Sequence, residues 1–245
     1  MQATANPVLR DIVLIGGGHS HVGVLHMFAM RPLPGVRLTV ICTDTDTPYS
    51  GMLPGYIAGH YSFDEVHIDL RRLAAFAGAR YYRDEVTGID RTARQVLCRH
   101  RPPVSYDALS INIGSTPQLD GVPGAAEHAV PVKPIRRFNE RWLALFDRIR
   151  AHAGATTIAV VGAGAAGVEL TLAMQYRLRN ELQRNGRNPD ELRFHLFSAE
   201  PRILPTHNAS VRRAFESVLA GRGVELHLDA EVSRVEAGRL QTRQG

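Results

Sequence analysis

Residues 157–169 read Thr157-Ile-Ala-Val-Val-Gly162-Ala-Gly164-Ala-Ala-Gly167-Val168-Glu169, and the chain opens on the same design, Asp11-Ile-Val-Leu-Ile-Gly16-Gly17-Gly18-His19-Ser20-His21. Each begins with a short β-rich run that lacks polar alternation, the pattern of a parallel strand buried on both faces. The glycine cluster that follows is a turn, and the next stretches, 22–30 and 168–184, carry the apolar content of a helix. A second β-rich run comes after each, Val36–Cys42 and 192–198. Strand, glycine turn, helix and strand make a βαβ unit, so the sequence predicts an α/β fold of two Rossmann-like units with parallel sheets.

The glycine spacing has a mechanical meaning. In GxGxxG the first glycine makes the tight turn, the second lets a pyrophosphate approach the main chain, and the third lets the helix pack closely on the strand. The amides and dipole at the helix start then face the phosphates. The second copy is complete, with Gly162, Gly164 and Gly167. The first has Gly16 and Gly18 but His21 at the third position, so its helix is expected to stand further off or to tilt. One such turn alone is equally a plain glycine-rich connection; two, each between a strand and a helix, predict two dinucleotide-binding units.

An acid near the end of the second strand holds a ribose in such units. Asp44 comes two residues after Cys42 and Glu200 two after Ser198, and each reads equally as a ribose contact or a solvated loop acid. Arg202 stands close enough to Glu200 to serve a 2′-phosphate instead, so NADH and NADPH both stay open, with a lean to NADH.

Between the two units, residues 81–117 read as short strands with a turn at Asp90-Arg91-Thr92, closing on a buried strand that ends at Gly114-Ser115. The organisation predicted is a first nucleotide domain over 1–117, a Pro- and Gly-rich linker over 118–133, and a second nucleotide domain over 134–245. Pro134 suits a helix start, and Ile135, Phe138, Trp142, Phe146 and Ile149 recur at spacings of three and four, one packed face. A helix over 209–220 stops at Gly221, and 224–244 reads as two strands around Ala237-Gly238.

Composition narrows the function. With 44% hydrophobic and 22% charged residues, the 245-residue chain is neither disordered nor fibrous. The net charge is +5, Lys133 is the only lysine, and the arginines alternate with acids, so no nucleic-acid partner is expected. Cys42 and Cys98 form no CxxC or CxxxxC pair, which excludes a dithiol redox centre and suits a reducing compartment. No apolar run is long enough to span a bilayer, and the first residues lack the features of a signal peptide. No metal site is expected: His19 and His21 have no acid or cysteine at ligand spacing, and Asp44 and Asp46 lack the later glycine and glutamate of a calcium loop.

The two glycine turns, with Tyr106-Asp107, Gly114-Ser115 and Gly162 through Glu169, resemble the two-dinucleotide-binding-domain flavoproteins, the pyridine nucleotide-disulfide oxidoreductase superfamily. More narrowly, Gly16-Gly-Gly-His-Ser-His21, Pro48-Tyr-Ser-Gly-Met-Leu-Pro54-Gly55 and Pro131-Val-Lys-Pro134 resemble the NADH dehydrogenase-like flavoprotein module found fused to selenide, water dikinase. Type II NADH dehydrogenases and sulfide:quinone reductases are the wider neighbours. The resemblance implies FAD in the first unit and NAD(P)H in the second. By position, Gly16, Gly18, His19 and Ser20 would face the FAD pyrophosphate, Ser50-Gly51-Met52 would run beside the flavin, and Val86 would meet adenine through its backbone. Gly114 and Ser115 would sit at the crossing between domains, and Glu169 where nicotinamide meets flavin. Plainer readings stand beside these: Ser20 as a helix cap, Val86 as core, Met52 as a gap-filler.

The implied activity is FAD-dependent NAD(P)H oxidation, with hydride passing to flavin N5 and then to a quinone or other diffusible acceptor. Hydride transfer to a flavin needs no general acid or base from the protein, so no catalytic residue is expected. The alternative is a non-catalytic FAD/NAD-binding module serving a partner such as a selenide, water dikinase. Members of the superfamily return to the FAD domain after the NAD(P)H unit and add an interface domain. The resemblance therefore implies a C-terminally truncated chain with an incomplete FAD site, and a cytoplasmic protein whose membrane-peripheral attachment, if any, lies in the missing part.

Overall fold

The computed structural model describes residues 7–117, 119–152 and 154–244. In chain order the elements are β1 (Arg10–Ile15), α1 (His19–Met30), β2 (Val36–Cys42), β3 (Asp46–Pro48), a 3₁₀ turn at Ser50–Met52, α2 (Leu53–Ala58), α3 (Phe63–Val66), β4 (His67–Asp69), α4 (Leu70–Phe76), β5 (Arg80–Arg83), β6 (Val86–Asp90), β7 (Gln95–Cys98), β8 (Val104–Ser105) and β9 (Ala108–Ile111). There follow α5 (Ala125–His128), α6 (Ile135–Ala151), β10 (Thr156–Val161), α7 (Ala165–Arg184), β11 (Leu192–Phe197), α8 (Ala209–Gly221), β12 (Val224–His227), β13 (Val232–Glu236) and β14 (Arg239–Thr242). The chain divides into two compact units, residues 1–50 with 63–115, and residues 51–62 with 116–245.

The first unit is built on a parallel sheet in the order β5-β2-β1-β9. Successive side chains of a strand point to opposite faces, so the unbroken apolar runs of β1 and β2 supply two cores at once. Leu14, Leu38 and Val40 meet Leu25 of α1 and Leu70 and Ala74 of α4 on one face. Val13, Ile15 and Ile41 meet Val96 and the antiparallel sheet β6-β7-β8 on the other. β9 departs from the sequence expectation of burial. It lies at the sheet edge, where it pairs with β1 alone, and Ile111 is 55% exposed.

The second unit holds a parallel sheet in the order β10-β11-β12. One face carries Phe194, Leu196 and Val224 into a core with Val168, Leu178 and Leu182 of α7 and Ile135, Phe138, Trp142 and Ile149 of α6, the face that the three-and-four spacing predicts. Full burial of side chains of this size contributes about 1.5–3 kcal/mol each, so packing holds α7 in place more than its propensity does. β10 departs from the expected burial on both faces: Thr157, Ala159 and Val161 are exposed, because only its Ile158 and Val160 side faces the core. Residues 224–244 form three strands, not two. β13 and β14 make the hairpin at Ala237-Gly238, while Val224–His227 joins the parallel sheet beside β11. Among the described residues no helix is long and apolar enough to cross a membrane.

Candidate functional site

In the second unit the turn after β10 is open. Gly162 has φ +103°, a conformation L side chains rarely adopt, and its N–H donates to the Phe197 carbonyl at 2.8 Å. Gly164 caps α7 with no side-chain hydrogen bond, and a Cβ added there would meet nothing within 4 Å. Gly167 has no such room, since a Cβ there would overlap the Gly162 carbonyl oxygen. Tight turn, clear approach and close helix packing thus fall on the first, second and third glycines. The first turn of α7 carries no acid, and its opening amides, which have no intrahelical acceptors, point at the cleared space. The Leu204 N–H braces the turn through the Ala163 carbonyl at 2.8 Å.

The loop after β11 is built by Ser198. Its N–H donates to the His227 carbonyl at 2.8 Å, and its hydroxyl accepts the Glu200 N–H at 3.1 Å. Glu200 and Arg202 are exposed beside it, and Glu169 is exposed on α7 more than one turn past Gly164.

The first turn uses its glycines differently. Gly16 has φ +90°, and a Cβ on it would strike the Asn112 carbonyl; one on Gly18 would strike the Asn112 carboxamide. The Gly18 N–H donates to the Asn112 carbonyl at 3.0 Å, and the Thr47 hydroxyl donates to the Gly17 carbonyl at 2.6 Å. The glycines here admit the segment following β9. His21, 1% exposed, lies beneath the turn, with Nδ1 2.7 Å from the Gly16 carbonyl and Nε2 2.9 Å from the Ser110 hydroxyl. A carbonyl only accepts, so Nδ1 carries the proton and Nε2 is free to accept from Ser110. The carbonyl of the first glycine is the shared feature: in the second unit it lies against Gly167, and in the first a histidine ring donates to it.

His19 and Ser20 are exposed at the start of α1, which also has no side-chain cap and no acid in its first turn. The His21 and Val22 amides return to the Gly18 carbonyl, so Ser20 does not act as the N-cap. The His19 ring lies 4.3 Å from that of Tyr49. Asp44 follows β2, and its carbonyl accepts the Tyr81 hydroxyl at 3.2 Å. Gly114 (φ +74°) and Ser115 follow β9 and are exposed. Gly16, Gly18, His19, Ser20, Asp44, Gly114 and Ser115 thus gather at the carboxyl ends of three adjacent parallel strands, the edge where α/β sheets take ligands. Ser50 is exposed in the first unit; Gly51 and Met52 belong to the second. Val86 is half-buried and packs with Val96.

Sequence reasoning missed Asn112, Thr47 and the place of His21, because only the folded sheet brings residues so distant in sequence against Gly16–Gly18. It also missed Asp84, 5% exposed between β5 and β6. Burial alone would raise this carboxyl, but the Glu85 amide, the Arg101 guanidinium and the His100 amide outweigh burial and hold it below the ordinary 3.8. Burial pushes both free thiols, Cys42 and Cys98, upward, so neither is an activated nucleophile.

The profile of the pyridine nucleotide-disulphide oxidoreductase family matches residues 10–243. The chain is 30% identical over 241 residues to the NADH dehydrogenase-like protein YutJ of Bacillus subtilis, covering 94% of this chain and 60% of that protein. It is 27% identical over 254 residues to an alternative NAD(P)H-ubiquinone oxidoreductase of Arabidopsis thaliana, covering 96% of this chain and 47% of that one. In fold it is similar to the NDH2 of Plasmodium falciparum solved in complex with NADH, with a TM-score of 0.82 at 17% identity over 94% of this chain and 50% of that one. The chain therefore spans about half the length of the relatives it matches. Two parallel sheets, each with a glycine turn opening onto an uncapped helix, accord with the profile match along nearly the whole sequence: the chain belongs to the pyridine nucleotide-disulphide oxidoreductase family.

Proposed function

We propose that the first unit binds FAD, that the second binds NAD(P)H, and that the protein is a flavin-dependent NAD(P)H oxidoreductase delivering electrons to a quinone-like acceptor. The observation that carries this reading is the open α7 terminus. α4 and α8 are capped by their own side chains, Asp69 to the Arg72 amide and Asn208 to the Val211 amide, whereas α7 begins at a bare glycine facing empty space. That terminus fits a pyrophosphate, and α1 offers the same uncapped, acid-free start. The NADH dehydrogenase-like and NAD(P)H-ubiquinone oxidoreductase relatives support the chemistry.

When bound, the two cofactors supply hydride donor and acceptor; the protein supplies binding and position. In the second unit the α7 amides would neutralise the pyrophosphate, Glu200 would accept from the ribose hydroxyls, and Gly162 and Gly167 would set the approach of turn to helix. In the first, the amides of His19 and Ser20 would meet the FAD pyrophosphate, with Asp44 at its ribose and Gly114-Ser115 along its edge. The roles of Ser50, Gly51, Met52, Val86 and Glu169 rest on the resemblance.

The test is to reconstitute the purified full chain with FAD and add NADH anaerobically. Retained flavin absorbance that bleaches with NADH and recovers with a soluble quinone is the expected result. A protein that holds nucleotide yet never bleaches refutes the oxidoreductase and leaves a binding module, whose pairing with a selenide, water dikinase would then be assayed directly.

A further inference from the structure

We propose that His195, Glu225 and His227 form a binding site for a divalent transition metal, zinc foremost, on the sheet face turned away from the core of the second unit. The register builds it. His195 of β11 pairs with Glu225 of β12, and Phe197 pairs with His227. Paired residues of parallel strands share a face and residues two apart on a strand share it too, so all four side chains stand on the face opposite Phe194 and Leu196.

The ligand atoms of the three polar residues lie within 4.8 Å of one another. His195 Nδ1 is 2.9 Å from His227 Nε2 and 3.4 Å from a Glu225 carboxylate oxygen. Donors on a tetrahedral zinc at 2.0–2.2 Å stand about 3.3 Å apart, so the two imidazoles need to part by only a few tenths of an ångström. The donor set, two imidazoles and one carboxylate, suits zinc and its neighbours; calcium and magnesium ask for an all-oxygen shell. His227 is held by a face-to-face stack on Phe197, 4.3 Å between centroids and 7° between planes. The β10 residue paired with His195 is Ala159, too small to cover the cluster. The exposed Glu225 leaves the fourth position open to water. Metal binding would require the ring proton that now lies between the two nitrogens to sit on the outer nitrogen of its own ring.

The test is calorimetric titration of untagged, metal-stripped full chain with zinc chloride at pH 7.5. One zinc per chain is expected, with affinity at least about tenfold weaker in His195→Ala, His227→Ala and Glu225→Gln, and unchanged in His207→Ala. Cobalt(II) gives a second readout, since a tetrahedral site produces visible d–d absorption that each ligand variant should abolish. Glu225 is exposed, so its variant carries the test if either histidine variant fails to fold. No stoichiometric binding, or binding that survives the double histidine variant, overturns the proposal.

Discussion

His21→Ala is the most informative perturbation of the first unit. The side chain is 1% exposed and makes two hydrogen bonds, to the Gly16 carbonyl at 2.7 Å and the Ser110 hydroxyl at 2.9 Å. Truncating a buried ring costs about 3–5 kcal/mol when the site does not collapse, and an orphaned buried carbonyl costs about 1–3 kcal/mol. Imidazole is smaller than phenyl, so about 4 kcal/mol in all is a fair expectation. His21→Phe separates the two parts, because it keeps a ring and loses both hydrogen bonds, at about 1–3 kcal/mol. Trp142, the only tryptophan, lies in the second unit, so its fluorescence is the wrong probe. Amide hydrogen exchange of β1 and β2 peptides reads the first unit directly. With about 1.4 kcal/mol per tenfold, His21→Ala should exchange about a thousandfold faster than the native chain and His21→Phe about tenfold faster. If His21→Phe exchanges as slowly as the native protein, the histidine is a packing residue and its bond to the turn contributes nothing.

Gly164→Ala should fold with stability within about 0.5 kcal/mol of the parent, since its φ of −73° is ordinary and its Cβ position empty, yet bind NADH more weakly by titration. Equal binding would argue against a pyrophosphate at that glycine. Gly167→Ala should instead lose stability by about 1–3 kcal/mol in urea unfolding followed by Trp142 fluorescence, because the new methyl meets the Gly162 carbonyl. Asp84 has a folded-state pKa below its ordinary value, so its ionised form contributes stability that is fully present above pH 3.8 and is lost as pH falls through the folded value. Asp84→Asn should therefore be least stable relative to the parent at pH 7, and the gap in thermal midpoint should close toward pH 3.

The two βαβ units were legible in the sequence because they rest on local rules. An apolar run with no polar alternation has nowhere to go but between layers, a glycine cluster after it can only turn, and the three-and-four spacing of α6 names its own buried face. The same rules failed at the sheet edges. β9 and β10 have the composition of central strands, and nothing in a strand's own residues says how many neighbours it will gain or whether its second face will be covered.

What the sequence determined by itself was which residue types stand at the two turns, and hence that each turn offers main chain without side chains at its first two glycines. What the tertiary structure decided was the use made of each glycine. Gly18 gives room to an asparagine 94 positions later, Gly164 to open space, and His21 replaces a third glycine by donating to the carbonyl against which that glycine would have packed. The His195–Glu225–His227 cluster is the extreme case, since His195 meets Glu225 and His227 only across the strand register. Spacing along a chain encodes contacts one turn or one pleat away; contacts between strands are fixed by pairing, and pairing is a property of the whole sheet.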